Sequence, residues 1–288
     1  MSSITLMEWN LNLATNYNGK STIPGFVAEE ILKADKDIFV LTEFAFTKDV
    51  DVFLDAFSEK YRLIGTQHRV KGQNEVLIGW RKSRFDSDGS WDLFAPSPDL
   101  PDMARVKLID KETGEQFNVA GARIKIVDYR TRRLQFRKVL HYPKIHSEEY
   151  ENWIIAVDCN CLRADYKGQD FEKVWGIGVM NKITSEKKFK RHSPSGNDSS
   201  IYKKNNYPIF KEDHFFTKGD IKCLNVEYSR EFTRAHPDVY IHGEDFNFGW
   251  NNNTHKPEWS ISCGSGNPDH AMLFGEFIID VGYPDRCG

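Results

Sequence analysis

Six side chains able to bind a cation or move a proton stand at the ends of apolar runs. They are Asn10 in LMEWNLN, Glu43 in FVLTEF, Asp158 and Asn160 in IIAVDCN, and Asp269 and His270 in NPDHAMLF. A carboxylate at the end of a hydrophobic strand is costly unless it reaches a cation, a donor or water. One such residue can simply mark where a strand surfaces. Four separate runs favour convergence, because sheets present their strand ends along common edges. The residue types fit hydrolysis of a phosphodiester, which needs the anion neutralised, a water aimed in line and the leaving oxygen stabilised. Mg²⁺ is a hard cation usually held by one or two carboxylates, which Glu43 and Asp269 can supply. Asp158 and Asn160, two apart on a strand end, share a face. One can take a proton from water while the other orients water or phosphate. His270 can hydrogen-bond a phosphoryl oxygen or transfer a proton.

The elements that must position these residues are legible as hydrophobic patterns. Residues 4–13, 37–44 and 153–160 are continuous apolar runs, the mark of strands covered on both faces. The segments YRLIGTQ, EVLIGWRK and 117–127 read as further strands, as do PIFKEDHFFTKG and IKCLNVEYSREF. Helical spacing occurs over 25–35, behind Pro24, over 51–61 and over the basic stretch 130–146, which Pro143 is expected to end or kink. Residues 182–206 carry many Lys among Ser, Gly and Asn and read as a basic loop. Residues 235–267 read as a polar insertion. The chain closes on a turn that feeds a strand. Neither tandem repeats nor a linker is visible, so a single domain spanning 1–288 is expected, built of many strands with helices outside.

The chain has 288 residues, 40% hydrophobic and 28% charged, which is a globular balance. Its formal net charge of −3 excludes a globally basic nucleic-acid binder, so a polyanion must be met by a local patch or by cations. Five Cys, an odd number, argue against a complete disulfide framework, and Cys159 and Cys161 lack zinc-type spacing. A reducing compartment fits this cysteine usage, and a soluble cytoplasmic protein is expected. The sequence contains no apolar stretch of membrane-spanning length and no visible oligomerisation motif.

The order of the motifs resembles the endonuclease/exonuclease/phosphatase family, from about residue 4 to 279. Trp9-Asn10 is similar to the family's first W-N, and Thr42-Glu43 to its Q-E. Val157-Asp158-Cys159-Asn160 matches G-D-x-N, Glu212-Asp213-His214 matches I-D-[YH], and Pro268-Asp269-His270 matches S-D-H. Each fragment is weak alone; five in order are fairly specific. The resemblance implies an α/β fold, a four-layer α/β/β/α sandwich of two packed, mainly antiparallel sheets with outer helices. It implies that Glu43 binds Mg²⁺ (with Mn²⁺ as a substitute), with Asn10 and Asp269 close to it. Asp158 would activate the water, Asn160 would orient it, and Asp213 would hold the His270 ring in its charged form. The sequence departs from the family on strand 117–127. Where many members carry a His or Tyr, Arg123 stands here, able to clamp a phosphate but not to act as an acid.

Nucleic acid is the first choice of substrate. Arg130, Arg132, Arg133, Arg137 and Lys138 share one helix. Lys182, Lys187, Lys188, Lys190, Arg191, Lys203 and Lys204 are interleaved with Phe189, His192 and Tyr202. Such mixtures track phosphates and stack bases; they also occur on merely solvated faces. The alternatives are a phosphatase or phosphodiesterase for a small or lipid-derived phosphoester, and a catalytically weak nucleic-acid-binding member of the family. The segment YIHGEDFNFGW also spells D-x-N, at Asp245 and Asn247. It falls after Asp213, against the family's order, so it is expected to be a loop overhanging the site, with Asp245 and Trp250 near substrate.

Overall fold

The computed structural model describes residues 3–13, 22–66, 75–94, 101–125, 128–146, 151–161, 175–195, 211–240, 250–251, 256–257 and 267–279. The first half runs β1 (Ile4–Asn10), α1 (Gly25–Ala34), β2 (Ile38–Phe44), α2 (Val50–Asp55), β3 (Tyr61–Gly65), β4 (Glu75–Arg81), β5 (Phe85–Phe94), β6 (Asp102–Asp110) and β7 (Gln116–Arg123). The second runs α3 (Tyr129–His146), β8 (Asn152–Asp158), α4 (Ile177–Glu186), β9 (Lys190–His192), β10 (Asp213–Lys218), β11 (Ile221–Ser229), α5 (Glu231–Ala235), β12 (Trp250–Asn251), β13 (Lys256–Pro257) and β14 (Met272–Ile279). No helix among the described residues is long and apolar enough to cross a membrane.

Two six-stranded sheets pack face to face, in the orders β11-β14-β1-β2-β4-β3 and β5-β6-β7-β8-β10-β9. Strand parity explains the layers. In β1 and β2, Ile4, Leu6, Ile38 and Val40 enter the core between the sheets, whereas Met7, Trp9, Phe39 and Leu41 pack with Val27 and Ile31 of α1. In β8, Ile154 and Ala156 face the inter-sheet core, while Ile155 and Val157 pack with Phe136 and Val139 of α3. Both faces of these strands are buried, hence their unbroken apolar runs. The result is the expected α/β/β/α sandwich with mainly antiparallel pairing.

Each sheet contains one parallel pair, β1 with β2 and β7 with β8, and each pair is joined through a helix, α1 or α3. Parallel pairs end together, so Asn10 lies opposite Thr42 and Arg123 opposite Asp158. The antiparallel neighbour of β8 starts where β8 stops, which sets Asp213 opposite Asp158. Asn10, Thr42, Arg123, Asp158 and Asp213 also share the parity of the inter-sheet residues on their own strands. The fold therefore brings these polar ends to one edge of the seam between the sheets.

Several boundaries differ from those read in the sequence. The segment expected to be loop from 182 continues α4 through Glu186, and residues 190–192 add β9 to the edge of the second sheet. The buried Met180, Ile183 and Thr184 recur at helical spacing, which the surrounding lysines mask. The strand expected over 221–232 stops at Ser229, where α5 begins at Glu231. Pro143 lies inside α3, which runs on to His146. Strands β5 and β6 have no counterpart in the sequence reading. Asp, Ser and Gly89 interrupt β5, an edge strand whose register shifts between Ser87 and Trp91. Residues 196–206 of the basic loop, with Lys203 and Lys204, lie outside the described residues, as does most of 235–267 with Asp245, Asn247 and the Trp250 side chain.

Gly121 sits where β7 meets the first sheet. A Cβ there would stand 2.4 Å from Val40 Cγ1 and 2.8 Å from Val76 Cγ1. Gly121→Ala is expected to destabilise the protein by about 1–3 kcal/mol through overpacking. Gly178→Ala, in α4 with open space around it, should gain up to about 1 kcal/mol from helix propensity. Urea unfolding of the two variants checks both signs.

Candidate active site

Asp158 is the centre of the polar edge. It is fully buried, and its carboxylate is held from three sides. Asn10 Nδ2 donates to its Oδ2 at 2.9 Å, and Asn160 donates its backbone N–H to Oδ1 at 2.9 Å and its Nδ2 to Oδ2 at 3.1 Å. Arg123 Nε lies 3.5 Å from the same Oδ2. Asn160 Nδ2 also donates to Ile124 O at 2.7 Å, tying the end of β8 to the end of β7. Burial, then the charge of Asp213, pushes the pKa of Asp158 up to about 7, against the pull of His270 and Arg123. A carboxylate poised there can take a proton at neutral pH.

Asp213 is equally buried. Its Oδ2 stands 2.7 Å from His270 Nδ1, the pairing the family resemblance implies. Burial disfavours a charge on His270, but Asp213 outweighs it through both its charge and its hydrogen bond. Asp269 and Glu212 add to this, and the pKa of His270 rises well above the ordinary imidazole value. The other ring nitrogen, Nε2, faces Glu212 Oε2 at 3.7 Å and Asp269 Oδ1 at 3.9 Å. Trp9 Nε1 donates to His270 O at 3.0 Å and fixes the backbone. Tyr240 OH donates to Pro268 O at 2.8 Å just upstream.

Glu43 reaches the edge by a local irregularity. Parity would send it to the α1 side with Phe39 and Leu41. The β2–β4 register shifts between Leu41 and Phe44, and Glu43 has a left-handed φ of 48°. Such a bulge re-aims one side chain while its neighbours stay in the core. Glu43 Oε1 is turned onto Arg123 Nη2. Asn12 and Asn160 are also left-handed, at 53° and 44°, so three of the five described non-glycine residues with positive φ belong to this edge. Such backbone costs roughly 1–3 kcal/mol per residue and gathers at functional sites.

The structure thus brings Asn10, Glu43, Arg123, Asp158, Asn160, Asp213, Asp269 and His270 together. It adds residues the sequence reading passed over. Glu8, two before Asn10 on the same face of β1, is fully buried. It accepts a hydrogen bond from Thr42 at 2.9 Å, while its Oε2 has no partner among the described residues. Burial, then Asp213 and Asp158, raise its pKa well above the carboxylate range. Glu212 fills the apolar position of the I-D-[YH] motif, and burial pushes it up to about 8. A Glu at an inward position of an apolar strand was the available signal for Glu8; Glu212, just before β10, offered none. Arg132 of α3 donates from Nη1 to Asn160 O at 2.9 Å, so the basic helix reaches the site with its first turn. Arg137 instead pairs with Glu186, and Arg191 donates to Asn181 at 2.6 Å.

The donor set suits a hard divalent cation. Ligand atoms of Asp158, Asp213 and His270 lie within 4.8 Å of one another, and Asp213 Oδ1 is buried with no hydrogen-bond partner among the described residues. Burial, with a contribution from Glu43, raises Asp269 to about 6, and Glu43 also adds to the rise at Asp158. Crowded oxygen donors that repel one another in this way are what a hard divalent cation relieves.

No protein-family model and no curated protein sequence matches the chain. Its structure, however, is similar to many solved ones. An endonuclease/exonuclease/phosphatase family protein from Bacteroides thetaiotaomicron superposes with a TM-score of 0.65 at 15% identity, covering 97% of this chain and 99% of the other. A mannosyl-6-phosphatase from the same organism gives 0.62 at 14%, covering 96% and 99%. D. rerio TDP2, solved with a single-strand DNA product, gives 0.57 at 12%, covering 96% and 100%. The chain therefore has the endonuclease/exonuclease/phosphatase fold, also described as deoxyribonuclease I-like.

The His270–Asp213 pair should be visible in the pH dependence of stability. A histidine whose folded pKa is raised stabilises fully below its unfolded value, near ~6.5, and loses that contribution as pH rises through the folded value. Asp213→Asn should lower the His270 pKa, followed by NMR titration of the ring. It should also flatten the loss of stability that sets in as pH rises above the unfolded imidazole value, measured by urea unfolding.

Proposed function

We propose that the chain is a divalent-metal-dependent phosphoester hydrolase acting on nucleic acid. The observation that carries this reading is the Asp158 carboxylate, fixed by Asn10, Asn160 and Arg123 beside the Asp213–His270 pair. The neighbouring folds include a sugar phosphatase and an enzyme bound to DNA, which supports phosphoester chemistry in general. Glu43, Asn10 and Asp269 would hold Mg²⁺, or Mn²⁺ in its place. When bound, the ion neutralises phosphate charge and stabilises the leaving oxygen.

The chain's own groups divide the remaining work. Asp158 accepts a proton from the attacking water as its oxygen bonds to phosphorus. Asn10 and Asn160 keep the carboxylate in one rotamer, so no reorganisation is needed at the moment of attack. His270, kept protonated by Asp213, donates an N–H to a phosphoryl oxygen and balances the charge that builds there. Arg123 offers planar paired donors to the same group. The ester bond breaks with its electron pair on the leaving oxygen, which takes a proton from solvent water and departs as an alcohol.

Two observations bear on the substrate. Arg132 stands at the rim, with Arg130 and Arg133 beyond it on α3, which suits a substrate whose phosphates continue past the cleaved one. The engagement of Arg137 and Arg191 within the protein shortens that track and favours the second reading, a small phosphoester.

Wild-type protein with Mg²⁺ is expected to cleave at least one of single- or double-stranded DNA or RNA, and to stop when a chelator is added. Asp158→Asn and His270→Ala should each lower the rate at least about 10²-fold. Intact nucleic acids alongside hydrolysis of a sugar or inositol phosphate would select the small-substrate reading. Full activity in Asp158→Asn would reject the site.

A further inference from the structure

Arg123 joins two carboxylates that belong to different sheets. Its Nη2 pairs with Glu43 Oε1 from β2, and its Nε faces Asp158 Oδ2 of β8 at 3.5 Å. It ends β7, flanked by Asp158 and Asp102 in register, and is 8% exposed. Buried carboxylates require a countercharge, and one left alone there is strongly destabilising. A guanidinium and a hard divalent cation are alternative ways to provide it. The guanidinium differs in having a second good partner, because its planar fork matches phosphate as well as carboxylate. A neutral His or Tyr at this position has no permanent charge to exchange.

We propose that Arg123 is an exchangeable countercharge, which holds Glu43 and Asp158 in the seam, yields Glu43 to the incoming divalent cation and turns to the substrate's phosphate. This rests on the phosphoester hydrolase reading above and specifies how that site is loaded. Cation and phosphate binding then favour each other through one residue. Withdrawal of Arg123 from Glu43 is less costly when a phosphate receives it, and by thermodynamic reciprocity the cation tightens phosphate by the same factor. With neither present, the carboxylates stay paired with Arg123 and the seam stays neutralised.

The test is calorimetric titration of the intact protein with MgCl₂, alone and with saturating inorganic phosphate. Arg123→Met is expected to bind Mg²⁺ about tenfold more tightly than wild type, because no competing cation must leave. Arg132→Met removes an equal charge near Asp158 without touching Glu43 and should change the Kd less than about threefold. Phosphate should tighten Mg²⁺ binding in wild type and do so much less in Arg123→Met. Arg123→Lys keeps the charge but not the fork, and should give an intermediate Kd; it carries the test if the Met variant fails to fold. Unchanged or weaker Mg²⁺ binding in the Arg123 variants overturns the proposal. An equal gain in Arg132→Met also overturns it, because the effect would then be a general field. Glu43→Gln separates the two readings. Loss of Mg²⁺ uptake there, with Arg123 variants like wild type, keeps the metal site and rejects the exchange. Absence of uptake in every protein rejects both.

Discussion

Charge crowding in the seam is the constraint on which the rest of the structure depends. Glu43, Asp158, Glu212, Asp213 and Asp269 meet at one edge, with Arg123 and His270 among them and Arg132 at the rim. Two like charges about 4 Å apart repel by roughly 4 kcal/mol at an effective dielectric of about 20. A few such contacts equal the whole stability of an ordinary domain. The cluster persists because the strands that carry it are anchored in three apolar cores and cannot retreat. Burial, with the repulsion added to it, is instead answered chemically. Asp158, Glu212 and Asp269 hold protons more tightly than free carboxylates, and His270 is drawn to its cationic form.

That rigidity comes from a simple plan used twice. A parallel strand pair with a crossover helix ends flush, and an antiparallel neighbour begins at the same level. With both sheets built this way and packed face to face, side chains of inter-sheet parity emerge together at the seam. Asn10, Arg123, Asp158 and Asp213 need nothing more than this plan. Glu43 needs a register shift and a left-handed residue as well. The strain is therefore concentrated where a side chain must be drawn against the alternation of its strand.

Much of the plan was legible in the sequence, and the parts that were not have physical reasons. The buried strands β1, β2 and β8 are apolar on both faces, so their ends stand out, and with them Asn10, Glu43, Asp158 and Asn160. Strand β5 sits at a sheet edge and mixes Asp, Ser and Gly with its apolar residues, and β6 beside it has its apolar run broken by Arg105 and Lys107. Helix α4 was hidden because Lys182 lies within it and Lys187, Lys188 and Lys190 follow it directly, a density of lysine that suggested a loop. Glu8 carried a signal, a Glu at an inward position of an apolar strand, but it lies inside the run rather than at its polar end, where the other site residues stand out. The reach of Arg132 depends on where α3 starts relative to the end of β7, a tertiary fact. The Arg123 ion pair with Glu43 bridges the two sheets, and no local pattern records it.

The first sheet draws its strands from both ends of the chain. Strand β1 is flanked by β2, made soon after it, and by β14, made much later. Trp9 and the His270 carbonyl it bonds are 261 residues apart. At about 5–20 residues per second, a ribosome needs roughly 15–50 s to cover that distance. Through that interval the nascent chain carries a long apolar strand with one unsatisfied edge, open to pairing with other chains. His270 arrives with the segment that closes this edge, so a partly made chain holds the carboxylates without the residue that charges against them. The chain is therefore most exposed to pairing with others while it is being made, not once it has folded.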